Sequence, residues 1–132
     1  MEKDTGSFED IARNKLAQAI DDLESADILL GADKYRAANN RAYYAIFYAI
    51  RAVLAMEEVD FKRHKDVLAY FNKEYVNKGI FPKMIGRKIS QAQRIREDSD
   101  YDDEFVVNAD KTLEQINTAE KLIELVEQYI NK

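Results

Sequence analysis

The stretch from Asn39 to Leu54 leaves this chain few ways to fold. It holds neither Gly nor Pro, and at a helical period its apolar residues run nearly all the way round. Tyr43, Ile46, Phe47, Ile50, Val53 and Leu54 form one broad face, while Ala42, Ala45, Ala49 and Ala52 keep the remaining girth small. A helix apolar on all sides needs neighbours on all sides, which puts it at the centre of a helical bundle or at a subunit interface. One stripe breaks the pattern. Arg41, Tyr44, Tyr48 and Arg51 follow spacings of three, four and three, so they share a side. Two guanidinium groups and two phenols there form either a polar seam in a packed interface or a recognition surface.

The segments around it predict the partners this helix needs. Ser7 is suited to cap a first helix running from Phe8 to Leu30, with Gly31 as its stop. Asp33 caps the central helix, which continues to about Met56. So short a connection predicts an antiparallel hairpin of two helices, each about 35 Å long. A third helix is predicted from His64 to Val76 and a fourth, weakened by Gly86, from Met84 to Arg96. Ser99 to Val107 reads as an acidic loop, with Phe105-Val106-Val107 the only strand-like signal. Asn108 caps a long last helix whose apolar face is Leu113, Ile116, Ala119, Leu122, Ile123, Val126 and Ile130. The expected class is all-α: an up-and-down bundle with two long N-terminal helices, two shorter ones and a long C-terminal helix, in one domain spanning residues 1–132.

Composition narrows the function classes. With no cysteine and one histidine, thiolate metal sites, disulfides and structural zinc are disfavoured, and no cofactor is expected. No apolar run approaches the ~20 residues that cross a bilayer. No apolar signal region stands at Met1–Gly6, so the expectation is a cytoplasmic protein without a membrane partner. Phosphate-loop, dinucleotide and nucleophile-elbow motifs are absent. The net charge of −5 opposes nonspecific nucleic-acid binding, but its distribution is uneven. Lys78, Lys83, Arg87, Lys88, Arg94 and Arg96 follow one another with no acid between Tyr75 and Arg96; Glu97, Asp98, Asp100, Asp102, Asp103 and Glu104 come directly after.

The residues able to carry chemistry are few. His64 is the sole side chain whose ordinary pKa lies near neutrality, which makes it the candidate general base; packing or a local hydrogen bond is the competing role. Tyr44 and Tyr48 have faces on which bases stack, and Arg41 and Arg51 can hold phosphates; filling the bundle core is the alternative. Arg94, Arg96, Asp100 and Tyr101 stand together at the switch from basic to acidic sequence. They are candidates for nucleotide or RNA binding, or members of an ion-pair network that pins the acidic loop.

Four pieces taken in order resemble the HEPN family of small helical domains. They are Asn40 to Leu54, then His64 with Val67-Leu68-Ala69-Tyr70-Phe71-Asn72, then Gly79-Ile80-Phe81-Pro82-Lys83, then Arg96-Glu97-Asp98-Ser99-Asp100-Tyr101-Asp102-Asp103. The resemblance implies the same bundle, and dimers are common among that family's members; the apolar girth of the central helix, more than one small bundle easily covers, itself predicts a homodimer. The resemblance also implies work alongside a minimal nucleotidyltransferase, often as the toxin half of a toxin–antitoxin pair. Many members of that family are metal-independent endoribonucleases, which carry an Arg followed by four to six residues and then a His. Here the positions five to seven before His64 are Val59, Glu58 and Glu57, so the signature is absent. The expected function is therefore a nucleotide-, RNA- or partner-binding module, with a metal-independent endoribonuclease as the alternative.

Overall fold

The computed structural model describes residues 7–101 and 108–132, without the side chains of residues 100 and 101. Five helices make up the bundle: α1 (Phe8–Gly31), α2 (Tyr35–Ala55), α3 (His64–Phe71), α4 (Lys83–Tyr101) and α5 (Ala109–Ile130). No strand occurs among the described residues, and the strand-like Phe105–Val107 lies outside them. The architecture is the all-α up-and-down bundle that the sequence predicts.

The N-terminal caps follow the sequence at both long outer helices. The Ser7 hydroxyl accepts the Asp10 N–H at 3.1 Å, and the Asn108 side chain accepts the Lys111 N–H at 2.8 Å, each satisfying a backbone donor at its helix start. The hairpin turn departs from expectation. Gly31 is still helical, and the residue in the left-handed region is Asp33, at φ 62°. Asp33 therefore does not cap α2, which begins at Tyr35 without a side-chain cap. Its carboxylate instead accepts the Tyr35 hydroxyl at 3.1 Å. Asp is among the residues that tolerate the left-handed region, which is why the turn has no need of the glycine.

Thirteen of the 21 residues of α2 are buried. The helix packs on α1, α5, α3 and α4. The match with α1 is one of small residues: Ala12, Ala19 and Ala26 recur every seventh position with no exposure, and Ala26 clusters with Ala42 of α2. Tyr43, Ile46, Ile50, Val53 and Leu54 are at most 1% exposed, each contributing about 1.5–3 kcal/mol of transfer free energy where aliphatic. The apolar girth that motivated a dimer is thus covered within a single chain.

At the other end of the bundle the predicted third helix changes form. It is α-helical to Phe71 and opens into a π-helical turn at Asn72–Val76. Gly86 explains this junction. A β-carbon at that position would lie 2.8 Å from Cγ1 of Val76 and 2.9 Å from Oδ1 of Asn72, so α4 packs on the π turn at a distance only glycine allows. The glycine does not interrupt α4, which starts at Lys83 and runs on to Tyr101, well past the predicted end at Arg96. Ser99, Asp100 and Tyr101 are accordingly helical, and the rest of the predicted acidic loop lies outside the described residues. On α5, Leu113 is 47% exposed and does not join the apolar face assigned to it, while Gln115 is buried and donates to the Ala92 carbonyl at 3.2 Å.

Candidate functional site

The polar stripe of α2 faces the first turn of α3 and the C-terminal half of α4, and the contacts there centre on His64. Its imidazole lies over Phe47 with ring centroids 4.0 Å apart, and Tyr44 and Tyr43 complete the surround at 5.7 and 6.2 Å. Three guanidinium groups edge this aromatic cluster. Arg96 from α4 lies 4.9 Å from the Tyr43 ring centroid and 5.5 Å from that of Tyr44, and its Nη2 donates to the Tyr44 hydroxyl at 3.3 Å. Arg41 also sits over Tyr44, 5.1 Å from its ring centroid. Arg51 lies 5.6 Å from the Phe47 centroid and 5.9 Å from that of Tyr48, while the Tyr48 ring tilts against Tyr44 at 6.3 Å. Each cation is drawn to the negative face of a ring, which helps keep three like charges in one neighbourhood.

Two of those cations are also held by carboxylates. Arg41 pairs with Asp22 of α1 at 3.0 Å, and Arg51 with Asp60 at 2.6 Å. Asp22 is 6% exposed, its second carboxylate oxygen has no hydrogen-bond partner among the described residues, and burial pushes its pKa up against the opposing pull of Arg41. Asp60 also accepts the Phe61 N–H at 2.9 Å, which orients it toward Arg51. The C-terminal part of α4 is tied down from α2 as well, because Arg36 donates to the carbonyl of Ser99 and, at 2.8 Å, to its hydroxyl. That clamp holds the helix segment from which Arg96 projects.

The electrostatic consequence falls on His64. Burial lowers its pKa, and the positive charges of Arg96 and Arg51 lower it further, so the neutral imidazole is favoured. Tyr43, 1% exposed, has its phenol pushed up to about 12, chiefly by burial, against the lowering effect of Arg96. Its hydroxyl is buried with no hydrogen-bond partner among the described residues. The arrangement offers aromatic faces, fixed positive charge and one neutral proton acceptor.

Of the residues singled out from the sequence, Arg41, Tyr44, Tyr48, Arg51, Arg96 and His64 come together. Arg94 does not join them: two residues from Arg96, it points to another side of α4, where it is exposed and lines a separate groove. A two-residue step turns about 200°, so Arg94 and Arg96 leave α4 on different sides. The side chains of Asp100 and Tyr101 lie outside the described residues. Tyr43, Phe47, Asp22, Asp60 and Lys15 were not foreseen as part of the site. Lys15 of α1 has a pKa lowered by burial and then by Arg51, which puts a further cation beside this cluster. No sequence spacing relates Lys15 to His64. Asp22, by contrast, left a signal: a carboxylate three residues after Ala19, on the small-residue face of α1.

No helix among the described residues is long and apolar enough to cross a membrane, and no group of three or more His, Asp or Glu among them could hold a metal ion. A HEPN domain model matches residues 12–129. A Thermotoga maritima protein named "UPF0332 protein" is 32% identical over 108 residues, covering 82% of each chain. The Methanocaldococcus jannaschii "Putative toxin MJ0605" is 32% identical over 114 residues, covering 86% of this chain and 79% of its own. The fold is shared by the crystal structure of TT1696 from Thermus thermophilus, with a TM-score of 0.74 and 21% identity over 89% of this chain and 96% of that one. Nearly the whole bundle, including the helices that build the aromatic cluster, falls within the matched span, and the chain belongs to the HEPN family.

Proposed function

We propose that this chain is a toxin-like HEPN module that binds RNA or a nucleotide at the His64 cluster and acts with a minimal nucleotidyltransferase as its partner. The observation that carries the reading is the placement of three guanidinium groups on one aromatic cluster. Stacking on an aromatic face stabilises a base whatever its identity, and arginine neutralises the adjoining phosphate, so such a cluster suits single-stranded RNA. The toxin name of the Methanocaldococcus relative supports the toxin-like part. The nucleotidyltransferase rests on the family resemblance, as does a homodimer, whose interface would have to use surfaces other than the buried face of α2. Titration with labelled short RNA and with a mononucleotide at two salt concentrations tests binding. Co-expression with a minimal nucleotidyltransferase from the same genome, followed by co-purification, tests the partner. Binding that persists unchanged in Tyr44→Ala would sink the cluster as the site.

A second reading, the metal-independent endoribonuclease, is favoured by one observation. The linear Arg-to-His signature is absent, yet the fold sets Arg96 over the Tyr43 and Tyr44 rings and Arg51 beside the Phe47 ring, the same rings that surround His64. A neutral imidazole can accept the proton of a ribose 2′-hydroxyl, and an adjacent guanidinium can stabilise charge on the phosphorus centre. A gel assay of RNA cleavage in the presence of a chelator decides between the readings. Cleavage lost in both His64→Ala and Arg96→Ala favours the enzyme; intact RNA bound by the wild type favours the module.

A further inference from the structure

Beside the π turn, α4 forms one wall of an open groove of about 600 Å³. Lys83, Arg87, Ser90 and Arg94 follow spacings of four, three and four, so a single face of α4 lines it over about 16 Å at 1.5 Å per residue. The far wall supplies Asn72 and Asn77, and Val76 is the one bulky apolar side chain in the lining. Among the described residues no carboxylate lines the groove. Lys83, Arg87 and Arg94 make no ion pair among the described residues, in contrast to Arg41 and Arg51. A second cavity of about 150 Å³ shares Asn72, Gly86 and Ser90 with the first and reaches Lys65 and Gln93. Lys65 adjoins His64 in the chain, and Gln93 lies one helical turn before Arg96. The two cavities therefore form a path along α4, with Lys83, Arg87 and Arg94 in the first and Lys65 in the second, whose far end is close in the chain to His64 and Arg96.

We propose that this path holds the sugar–phosphate backbone of a single-stranded polynucleotide whose bases reach the His64 cluster. The charge and shape of the groove carry the proposal; it rests on the RNA-binding reading for what lies at the far end of the strand. A run of three unpaired cations on one helix face matches consecutive phosphates better than a single anion. The amide and hydroxyl groups between them are donors for phosphate and sugar oxygens, and the first groove, with Val76 its one bulky apolar residue, offers an apolar peptide side chain little to bind; Leu68, Phe71 and Ile89 enter only in the second cavity. The overall charge of −5 makes such a local patch the more necessary, since the global field repels the same ligand. Gly86 belongs to the device: by letting α4 sit against the π turn it leaves the floor between the two cavities free of a side chain.

The test is a fluorescence-anisotropy titration of the full chain with labelled oligouridylate, its deoxy counterpart and uridine monophosphate, each over a series of salt concentrations. The triple variant Lys83→Ala/Arg87→Ala/Arg94→Ala is compared with Tyr44→Ala, and circular dichroism melts check that both are folded. The groove variant should lose roughly tenfold or more in affinity for the oligomer at low salt, with the logarithmic salt slope reduced by about 2, close to 0.7 per lost phosphate contact. Its weak affinity for the monophosphate should not change, because a mononucleotide is too short to span the path. Tyr44→Ala should weaken binding with the slope retained. Loss of oligomer binding in the groove variant with Tyr44→Ala unaffected would keep the groove and remove the cluster reading. An unchanged oligomer affinity and slope in the groove variant overturns the groove proposal, even where Tyr44→Ala loses affinity. Equal loss for the monophosphate also overturns it, reducing the groove to a single-phosphate site. Oligouridylate and its deoxy counterpart binding alike identifies phosphate as the contact, and a preference for the ribose form assigns the amides to the 2′-hydroxyl; both outcomes uphold the path.

Discussion

The imidazole of His64 lies over the ring of Phe47, with centroids 4.0 Å and planes 30° apart, although seventeen positions separate the two residues. A ring packed this way is protonated at a cost, because the charge must be placed in a partly desolvated site facing Arg96 and Arg51. The sign follows from linkage. The folded pKa lies below the ordinary 6.5, so the unfolded chain binds the proton more readily, and stability present above pH 6.5 is lost as pH falls toward the folded value. Melting temperature measured across mildly acidic to neutral pH should fall on acidification more steeply in the wild type than in His64→Gln. Parallel curves would show that His64 is not held neutral by its surroundings.

Gly86 and Val76 should be energetically coupled. Gly86→Ala gains up to about 1 kcal/mol of helix propensity but forces a methyl against Cγ1 of Val76, at a cost of about 1–3 kcal/mol. The net expectation is a modest loss of stability. In the Val76→Ala background the loss from the same substitution should shrink, since Cγ1 of Val76 is gone and only Oδ1 of Asn72, the end of a flexible side chain, still obstructs the methyl. Urea denaturation of the four proteins of this cycle measures the coupling. Additive effects would mean that α4 and the π turn are not in contact at this glycine.

Arg41 and Asp22 make a half-buried pair, with side-chain exposures of 40% and 8%. Arg41→Ala leaves a buried carboxylate without its counter-ion and should cost about 1–2 kcal/mol at neutral pH, less than a fully buried pair would. Arg41→Ala/Asp22→Ala should recover part of that loss. The raised pKa of Asp22 sets the pH dependence: its folded form takes up a proton more readily than the unfolded chain, so the penalty in Arg41→Ala should shrink as pH falls. Denaturation midpoints at neutral and acidic pH check both statements.

Ile46 has no exposure, at the centre of α2. Ile46→Asp places an unpaired carboxylate among aliphatic side chains and should destabilise the domain by about 4 kcal/mol or more, enough to abolish a cooperative melt. A melting curve near that of the wild type would mean that the buried face of α2 has been misassigned.

The amino-acid sequence alone determined the class of the fold and most of its parts. The all-round apolarity of Asn39–Leu54 required a central helix, and Ser7 and Asn108 marked two helix starts, because periodicity and capping are local properties that a chain carries wherever it goes. Local rules failed where two solutions were both acceptable to the backbone. Asp33 took the left-handed turn beside a glycine free to do so, and the last turn of the third helix opened into a π turn where α4 packs against it at Gly86. Of the site, Arg41, Tyr44, Tyr48 and Arg51 were legible as one stripe because a single helix presents them. Their meeting with His64 and Arg96 was decided only in three dimensions, since those residues come from other helices. The same geometry separated Arg94 from Arg96, neighbours in sequence that the rotation of α4 sends to different sides. Proximity along the chain is fixed by covalent bonds, but proximity across the bundle depends on which faces the core must bury, and that is settled by all the helices together.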